Sequence, residues 1–354
     1  MSQRALSVYS GRGGLLPALV LFAAAGCWDA SKQHHAQDTD SQTLTDNDTG
    51  TETESETETE TESATDTETE TDTEPRFVTF AVGVYHGCAL DEEGEIHCWG
   101  ANDIVEVEAP DETFVALSAG YIYNCGITEN GETFCWGPDQ WGIEDVPDAN
   151  FMQVSVGYQH ACGIVEPDNS IVCWGDDSYG QSQAPPGAFS QVSAGAFNTC
   201  GVQSSGEVVC WGDDSDGQST PPIGSFGSVK TSKYDHYLGI GYRSFSCGTT
   251  SADILKCWGA NYYWQASPPF GSYSRLSLGS CMGWALDDDE VVVYWGEQAC
   301  PDYCDIGICW EDPSDTSYIH LEAGGFFACG LTADGRIDCF GFCDDLWCHP
   351  VWEE

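Results

Sequence analysis

From Phe77 onward the chain runs in short stretches where apolar residues alternate with small or polar ones, interrupted by Gly, Ser, Asp and Asn. The stretches Phe189 to Gly195, Phe197 to Val202 and Glu207 to Gly212 show the period two of half-buried strands, and no window carries a sustained helical stripe. The same succession of stretches recurs. Aromatic residues at Phe77, Phe114, Phe151, Phe189, Phe226, Tyr273 and Tyr318 open successive units spaced by 37, 37, 38, 37, 47 and 45 residues. A period of this size, with two insertions, marks a repeat architecture of seven units. The units close on turn formers, such as Asp176 to Gln181 or Asp213 to Gln218, ahead of Pro185 or Pro221. Each unit is therefore expected to supply three or four short antiparallel strands.

Cysteines punctuate the pattern. Five units hold a first cysteine and then a Cys-Trp-Gly: Cys88/Cys98, Cys125/Cys135, Cys162/Cys173, Cys200/Cys210 and Cys247/Cys257; Cys329/Cys339 makes a sixth pair, followed by Phe340-Gly341. A turn such as Asp91 to Gly94 lies midway between the members of a pair, which sets them opposite each other across a hairpin, at disulfide distance. The remaining unit, aligned on Gly279 and Trp295-Gly296, carries Trp284 and Tyr294 at the two sites. Both sulfurs are missing together, as a covalent pair requires. Zinc would demand two further ligands in each unit, and a nine-residue gap is not metal-ligand spacing. Cys281, Cys300, Cys304, Cys309, Cys343 and Cys348 remain, near the late insertions, with no pairing that sequence can assign. Twelve paired thiols imply an oxidising compartment.

The units resemble the repeats of the regulator of chromosome condensation family. The match is carried by Gly83-Val-Tyr-His86-Gly-Cys-Ala89-Leu90, Glu95-Ile96-His97-Cys98-Trp99-Gly100 and Gly180-Gln181, and it spans about residues 76 to 350. The resemblance implies an all-β fold, a seven-bladed propeller in which Trp99, Trp136, Trp174, Trp211, Trp258 and Trp295 are core wedges between blades. It also makes His86 and His160 structural rather than catalytic or metal-binding. Members include a nuclear guanine-nucleotide exchange factor and a secreted bacterial propeller that inhibits β-lactamase, so the family implies no single function. Disulfides and acidity set this chain apart from the nuclear member. The final stretch, Pro350-Val351-Trp352, is expected to pair with the strand near Phe77 and close the ring.

The first 75 residues are of another kind. Arg4 and Arg12 precede an apolar run, Leu15 to Ala25, too short to cross a bilayer, which reads as a signal peptide over residues 1–26. Ala24-Ala25-Gly26-Cys27 resembles the lipobox of bacterial lipoproteins, which would make Cys27 a lipidation site, with Trp28 after it favouring the outer membrane or cell surface. An ordinary secretory leader is the alternative. Residues 27–75, dominated from Asp38 by Thr, Ser, Asp and Glu, have almost nothing apolar to bury and read as a disordered tether ahead of a propeller over 76–354. The formal net charge is −48, with 16 acidic against 3 basic residues in 1–75, leaving 42 against 7 in the propeller. Such a field repels phosphate backbones, so nucleic acid is a poor partner and the membrane is met only through the lipid.

Binding is expected on loops of one propeller face, with the domain acting as a monomer on a protein or other macromolecule. At the loops after Trp-Gly stand Trp141, Tyr179 and Tyr263, the last flanked by Tyr262 and Trp264; large aromatics at turn tips are enriched in binding hot spots. The fifth unit's insertion adds Lys233, Tyr234, His236, Tyr237, Tyr242 and Arg243, a local inversion of sign on an acidic body. Asp176-Asp177-Ser178 and Asp213 to Asp216 offer oxygens of the kind calcium takes, without a full calcium-loop spacing, and no other cofactor is indicated. The second insertion, Glu297 to Asp315, reads as a stapled flap. No nucleophile elbow, phosphate loop or zinc-protease motif occurs. A non-catalytic binding module is the expected function. The alternatives are a polysaccharide-degrading propeller, with two carboxylates at the channel mouth, or an inhibitor of a periplasmic enzyme such as a β-lactamase.

Overall fold

The computed structural model describes residues 75–100, 109–138, 141–233, 244–296, 309–311, 313, 316–325 and 327–343, with only the backbone of 309–311 and 342–343. The leader, Cys27 and the tether lie outside the described residues, as do Tyr234, His236, Tyr237, Tyr242 and Arg243.

Seven antiparallel sheets follow one another along the chain. Blade 1 consists of an inner strand Phe77–Val82, a middle strand His86–Asp91 and an outer strand Ile96–Gly100. Blades 2 to 6 repeat this order, with inner strands Phe114–Ala119, Phe151–Val156, Phe189–Ala194, Phe226–Thr231 and Ser274–Leu278. Blade 7 holds His320–Ala323, Phe327–Leu331 and Ile337–Cys343, plus a fourth strand, Cys309–Glu311, which pairs outside Ile337–Cys343. The second insertion therefore gives the last blade an extra edge strand, where the sequence reading expected a flap.

The seven aromatic anchors explain the period. All are buried, and each starts the packing of one blade on the preceding one. Phe77 and Phe80 join Phe327 and Leu331 of blade 7 in one cluster, while Phe151 and Val154 join Ile127 of blade 2 in another. Each sheet has two apolar faces and covers both only by stacking radially on its neighbours.

Ring closure follows the same packing, and among the described residues blades 1 and 7 exchange no strand. Inner strand Phe77–Val82 pairs within its own blade, and Ile337–Cys343 does the same at the other end. Blade 7 meets blade 1 face to face. Phe77–Val82 is an edge strand of its sheet, and Pro350 to Trp352, expected to pair with it, lie outside the described residues.

The cysteine pairs occupy directly opposed positions on middle and outer strands. All six expected bridges are formed, Cys88 to Cys98, Cys125 to Cys135, Cys162 to Cys173, Cys200 to Cys210, Cys247 to Cys257 and Cys329 to Cys339, each with a Cα–Cα separation of 4.0 Å. The two ends of a bridge differ in surroundings. Cys88, Cys125, Cys162, Cys200, Cys247 and Cys329 on the middle strands are buried, whereas Cys98, Cys135, Cys173, Cys210, Cys257 and Cys339 on the outer strands are half-buried. In blade 6, Trp284 faces Tyr294 in the same register with ring centroids 5.3 Å apart. Cys281 is also in a disulfide. The glycine after each tryptophan ends the outer strand at positive φ, +123° at Gly100, where a Cβ would lie 2.5 Å from the carbonyl oxygen of Tyr85. That approach brings the loop after Trp-Gly beside the turn between inner and middle strands, so both loop sets share one face.

Candidate binding face

The inner-to-middle turns carry an aromatic residue just after the blade glycine: Tyr85, Tyr121, Tyr158 and Phe197 in blades 1 to 4. They touch in succession, with ring centroids 5.6, 4.4 and 5.4 Å apart and ring planes tilted by 62°, 45° and 58°. The result is an arc across four blades. Tyr85, Tyr121 and Tyr158 are half-buried, whereas Phe197 is buried beneath Tyr179, whose ring lies 5.1 Å away. The sequence reading did not single out these three tyrosines, although the recurrence of an aromatic behind each blade glycine was a visible signal.

The loops after Trp-Gly divide into two groups. Trp141 folds back, 5.9 Å from Tyr123 and 6.4 Å from Tyr158, and Tyr263 packs against the core between blades 6 and 7. Tyr179, Tyr262 and Trp264 stay outward, with 45%, 61% and 68% of their surface exposed. Tyr262 donates from its hydroxyl to Asp216 at 3.5 Å, linking the loops of blades 4 and 5.

The disulfide cysteines belong to the scaffold and not to this face. Cys135, Cys173, Cys257 and Cys339, like Cys98 and Cys210, sit within their outer strands and staple them to the middle strands, so the bridges brace the blades that carry the loops.

The aspartates that offer oxygens of the kind calcium takes hold their own loops. Asp176 accepts from Ser178 and from Gln181 Nε2 at 2.7 Å, and Gln181 in turn accepts from the amide of Tyr179. Asp177 accepts from the Ser182 amide and Gln183; Asp213 and Asp214 repeat both patterns through Ser215, Gln218, Ser219 and Thr220. These are the bonds by which Asp shapes a turn. Elsewhere, Asp91, Glu95 and His97 come within metal-ligand spacing of one another, yet Asp91 already accepts from the amides of Glu93 and Glu95 and bonds His97 Nε2 at 2.8 Å.

Lys233 is not part of the exposed contact surface that the sequence reading assigned to it. Its ammonium turns into the central channel, donating to the carbonyls of Val82 at 3.1 Å and Ala119 at 2.8 Å and lying 3.9 Å from Glu322. Lys230 reaches the same carboxylate at 2.9 Å, and Ser277 donates to its other oxygen at 3.3 Å. Burial disfavours both charged ends of this cluster. It lowers the Lys233 ammonium to about 8 despite Glu322, with Lys230 adding to the fall. At Glu322 burial pushes upward, but Lys230, Lys233 and His320 outweigh it and hold the carboxyl at about 2.

The blade histidines join adjacent blades. His86 Nε2 bonds Asn124 Oδ1 at 2.8 Å, and His160 Nε2 bonds the Thr199 hydroxyl at 2.8 Å, each partner lying one blade further on. Thr199 donates onward to the carbonyl of Gln181. The tryptophan wedges do related work: Trp174, Trp211, Trp258 and Trp295 donate to the carbonyls of Ile143, Gln181, Gln218 and Gln265 at 2.7 to 2.9 Å.

With this geometry in view, the comparisons with known proteins are specific about fold. Residues 77–103, 153–181 and 189–218, in blades 1, 3 and 4, match the model of the Regulator of chromosome condensation (RCC1) repeat. The fold is similar to the ectodomain of the receptor kinase CR4 of Physcomitrella patens, with a TM-score of 0.61 and 23% identity over 76% of this chain and 74% of that one. It is similar too to the CRINKLY WD40 ectodomain of the Arabidopsis thaliana receptor kinase ACR4, with a TM-score of 0.60 and 22% identity over 77% and 99% of the two chains. Prp20p of Saccharomyces cerevisiae, a protein with binding properties to Gsp1p and histones, follows with a TM-score of 0.56 and 16% identity over 76% and 83%. Among curated proteins none matches the sequence. At these identities the likeness establishes the fold, a propeller carrying RCC1-type repeats, and leaves the partner to be argued from the face itself.

Proposed function

We propose that the domain is a non-catalytic protein-binding module, presented from the cell envelope on its acidic tether and anchored through a lipid on Cys27. The observation that carries the reading is the aromatic arc from Tyr85 to Phe197 together with the exposed Tyr179, Tyr262 and Trp264, all on one face. Half-buried and exposed aromatics gathered on a rigid scaffold supply contact area at low entropic cost. The six disulfides suit the oxidising side of a membrane.

The polysaccharide-degrading alternative needs two carboxyl groups converging on a sugar, one of them able to hold a proton near neutrality. Among the described residues, the channel carboxylate in a charged cluster is Glu322, and its cationic neighbours hold it ionised at about 2. That is the wrong state for a general acid. Capture from envelope extract tests the binding reading: the disulfide-intact domain is compared with a Tyr179→Ala/Trp264→Asn variant. A loss of at least tenfold in the captured partner is expected, and undiminished capture would remove this face from consideration. Globomycin-sensitive processing, with loss of membrane association in Cys27→Ser, tests the anchor.

A further inference from the structure

The exposed rim crosses the loops of three successive blades as an alternation of rings and carboxylates. Tyr179 of blade 3 lies on Phe197, and the amide of Asp213 in blade 4 donates to the carbonyl of that same Phe197 at 2.9 Å. From there Asp213, Asp214 and Asp216 occupy the blade 4 loop, and Asp216 meets the Tyr262 hydroxyl of blade 5, beside Trp264. Tyr179, Asp216, Tyr262 and Trp264 thus form one strip.

No described Lys or Arg neutralises that strip. Lys230 and Lys233 turn into the channel, and Lys256 lies over the Phe226 ring at 5.8 Å. Arg76 and Arg336 bond Asp334 at the opposite, hairpin-turn end of blade 7, and Arg275 sits on the inner strand of blade 6. Arg243 lies outside the described residues.

We infer that the strip running from Tyr179 through Asp216 to Tyr262 and Trp264 receives an arginine-bearing, extended polypeptide segment of the partner. The inference rests on the binding-module reading and names its partner chemistry. A guanidinium is the group that satisfies both halves of the alternation, because it stacks flat on an aromatic ring while its edge donates to a carboxylate. A lysine ammonium gains less from the ring face. A neutral glycan would gain nothing from the propeller's excess of acidic residues, 42 against 7 basic, which draws a cationic segment.

Fluorescence anisotropy with labelled nona-arginine and nona-lysine peptides, titrated onto the disulfide-intact domain at several salt concentrations, reads the inference directly. Arginine peptide is expected to bind several-fold more tightly than lysine peptide. Tyr262→Leu with Trp264→Asn should weaken it about tenfold without altering charge, and Asp216→Asn should reduce the salt dependence. These side chains are solvent-facing, and Asn suits the φ of 61° at Trp264, so folding is preserved and is checked by thermal melting. Arginine-peptide affinity unchanged in Tyr262→Leu/Trp264→Asn would overturn the inference, since attraction to the acidic body would then be unspecific. Displacement of the peptide by neutral cellohexaose would overturn it in favour of a glycan. If neither peptide binds while extract capture still depends on Tyr179 and Trp264, the partner chemistry falls and the face stands; if capture is also unaffected, both fall.

Discussion

The backbone amide of Phe77 donates to the carbonyl of Gly335 at 3.1 Å, joining the first residue of the first blade to the hairpin turn of the last. The same bond recurs at every junction, from Phe114 to Gly94, Phe151 to Gly131, Phe189 to Asn169, Phe226 to Gly206, Tyr273 to Asp253 and Tyr318 to Glu290. Seven equivalent bonds make the circle, and the one from Phe77 to Gly335 is the only one that spans nearly the whole domain in sequence. The anchor aromatics that set the repeat period are thus also the residues whose amides stitch successive blades together.

Each accepting residue has φ between 57° and 88°, so the turn must hold a left-handed residue with its carbonyl aimed at the next blade. At Gly335 a Cβ would sit 3.2 Å from the amide nitrogen of Phe77. Gly335→Val is expected to cost about 2 kcal/mol, from left-handed strain and the crowded closure. Gly335→Asn should cost less than about 1 kcal/mol, because Asn tolerates this conformation, as Asn169 already does at φ 59°. Urea denaturation of the two variants checks the ranking; equal losses would mean that the turn conformation does not govern closure.

The hairpin disulfides are expected to act mainly on the unfolded chain. Closing a ten-residue link removes about 2 to 3 kcal/mol of chain entropy, and Cys88 with Cys98 or Cys200 with Cys210 already lie in register through backbone bonding. Replacing either pair by Ser should therefore lower stability by up to that amount while leaving the blade's strand pairing intact. Amide hydrogen exchange, blade by blade, distinguishes this from loss of the blade. Blade 6 has no hairpin bridge to lose, since Trp284 and Tyr294 fill the corresponding positions, and full reduction acts on it only through Cys281.

The channel cluster offers a sharper test of charge. Glu322→Gln removes the negative charge facing Lys230 and Lys233, leaving two ammonium groups without a counter-charge in a confined space, and should cost about 3 to 5 kcal/mol. Adding Lys233→Met should recover part of the loss, although the carbonyls of Val82 and Ala119 then lose a donor. The double-mutant cycle measures the coupling. Because the folded-state carboxyl of Glu322 lies at about 2, below its ordinary value of 4.5, its contribution is present above pH 4.5 and is lost as pH falls through 2. Lys233 runs the other way from an ordinary paired lysine. With its folded value lowered to about 8, its charged form opposes folding, so stability should rise as pH climbs from about 8 towards 10.5.

The parts of this fold that were legible in the sequence are those in which a residue type answers a local demand seven times over. Phe77, Phe114 and their equivalents declared the blades, and the joint replacement of two cysteines by Trp284 and Tyr294 declared the disulfides. Lys233 was misplaced because its surroundings are made by three different blades: the carbonyls of Val82 and Ala119 and the carboxylate of Glu322 are more than 85 residues away in sequence. No local pattern announces a contact across a channel. The aromatic face was half legible. Tyr179, Tyr262 and Trp264 were visible as aromatics at turn tips, but whether such a residue stays outward or folds back, as Trp141 and Tyr263 do, depends on the room left by the adjacent blade.

The two buried histidines predict an acid limit well above the carboxylate range. Burial lowers His86 and His160 to about 4 from an ordinary 6.5; at His86 the bond with Asn124 pulls upward and Lys233 adds to the fall, and at His160 the charges of Asp176 and Asp177 pull upward. Nε2 of each is engaged by the next blade, and Nδ1 of each is buried without a hydrogen-bond partner among the described residues, so a second proton has no acceptor. Since the unfolded chain binds that proton near pH 6.5 and the folded chain only near 4, stability is fully present above 6.5 and declines as pH falls through that window. Between pH 7 and pH 5 the loss should be about 2 kcal/mol per histidine. His160→Asn keeps a side chain able to bond Thr199, as Asn198 bonds Ser246 one blade on, and removes one titrating group. Urea midpoints at pH 7 and pH 5 should therefore converge in His160→Asn relative to the parent; an unchanged gap would show that the acid sensitivity arises elsewhere.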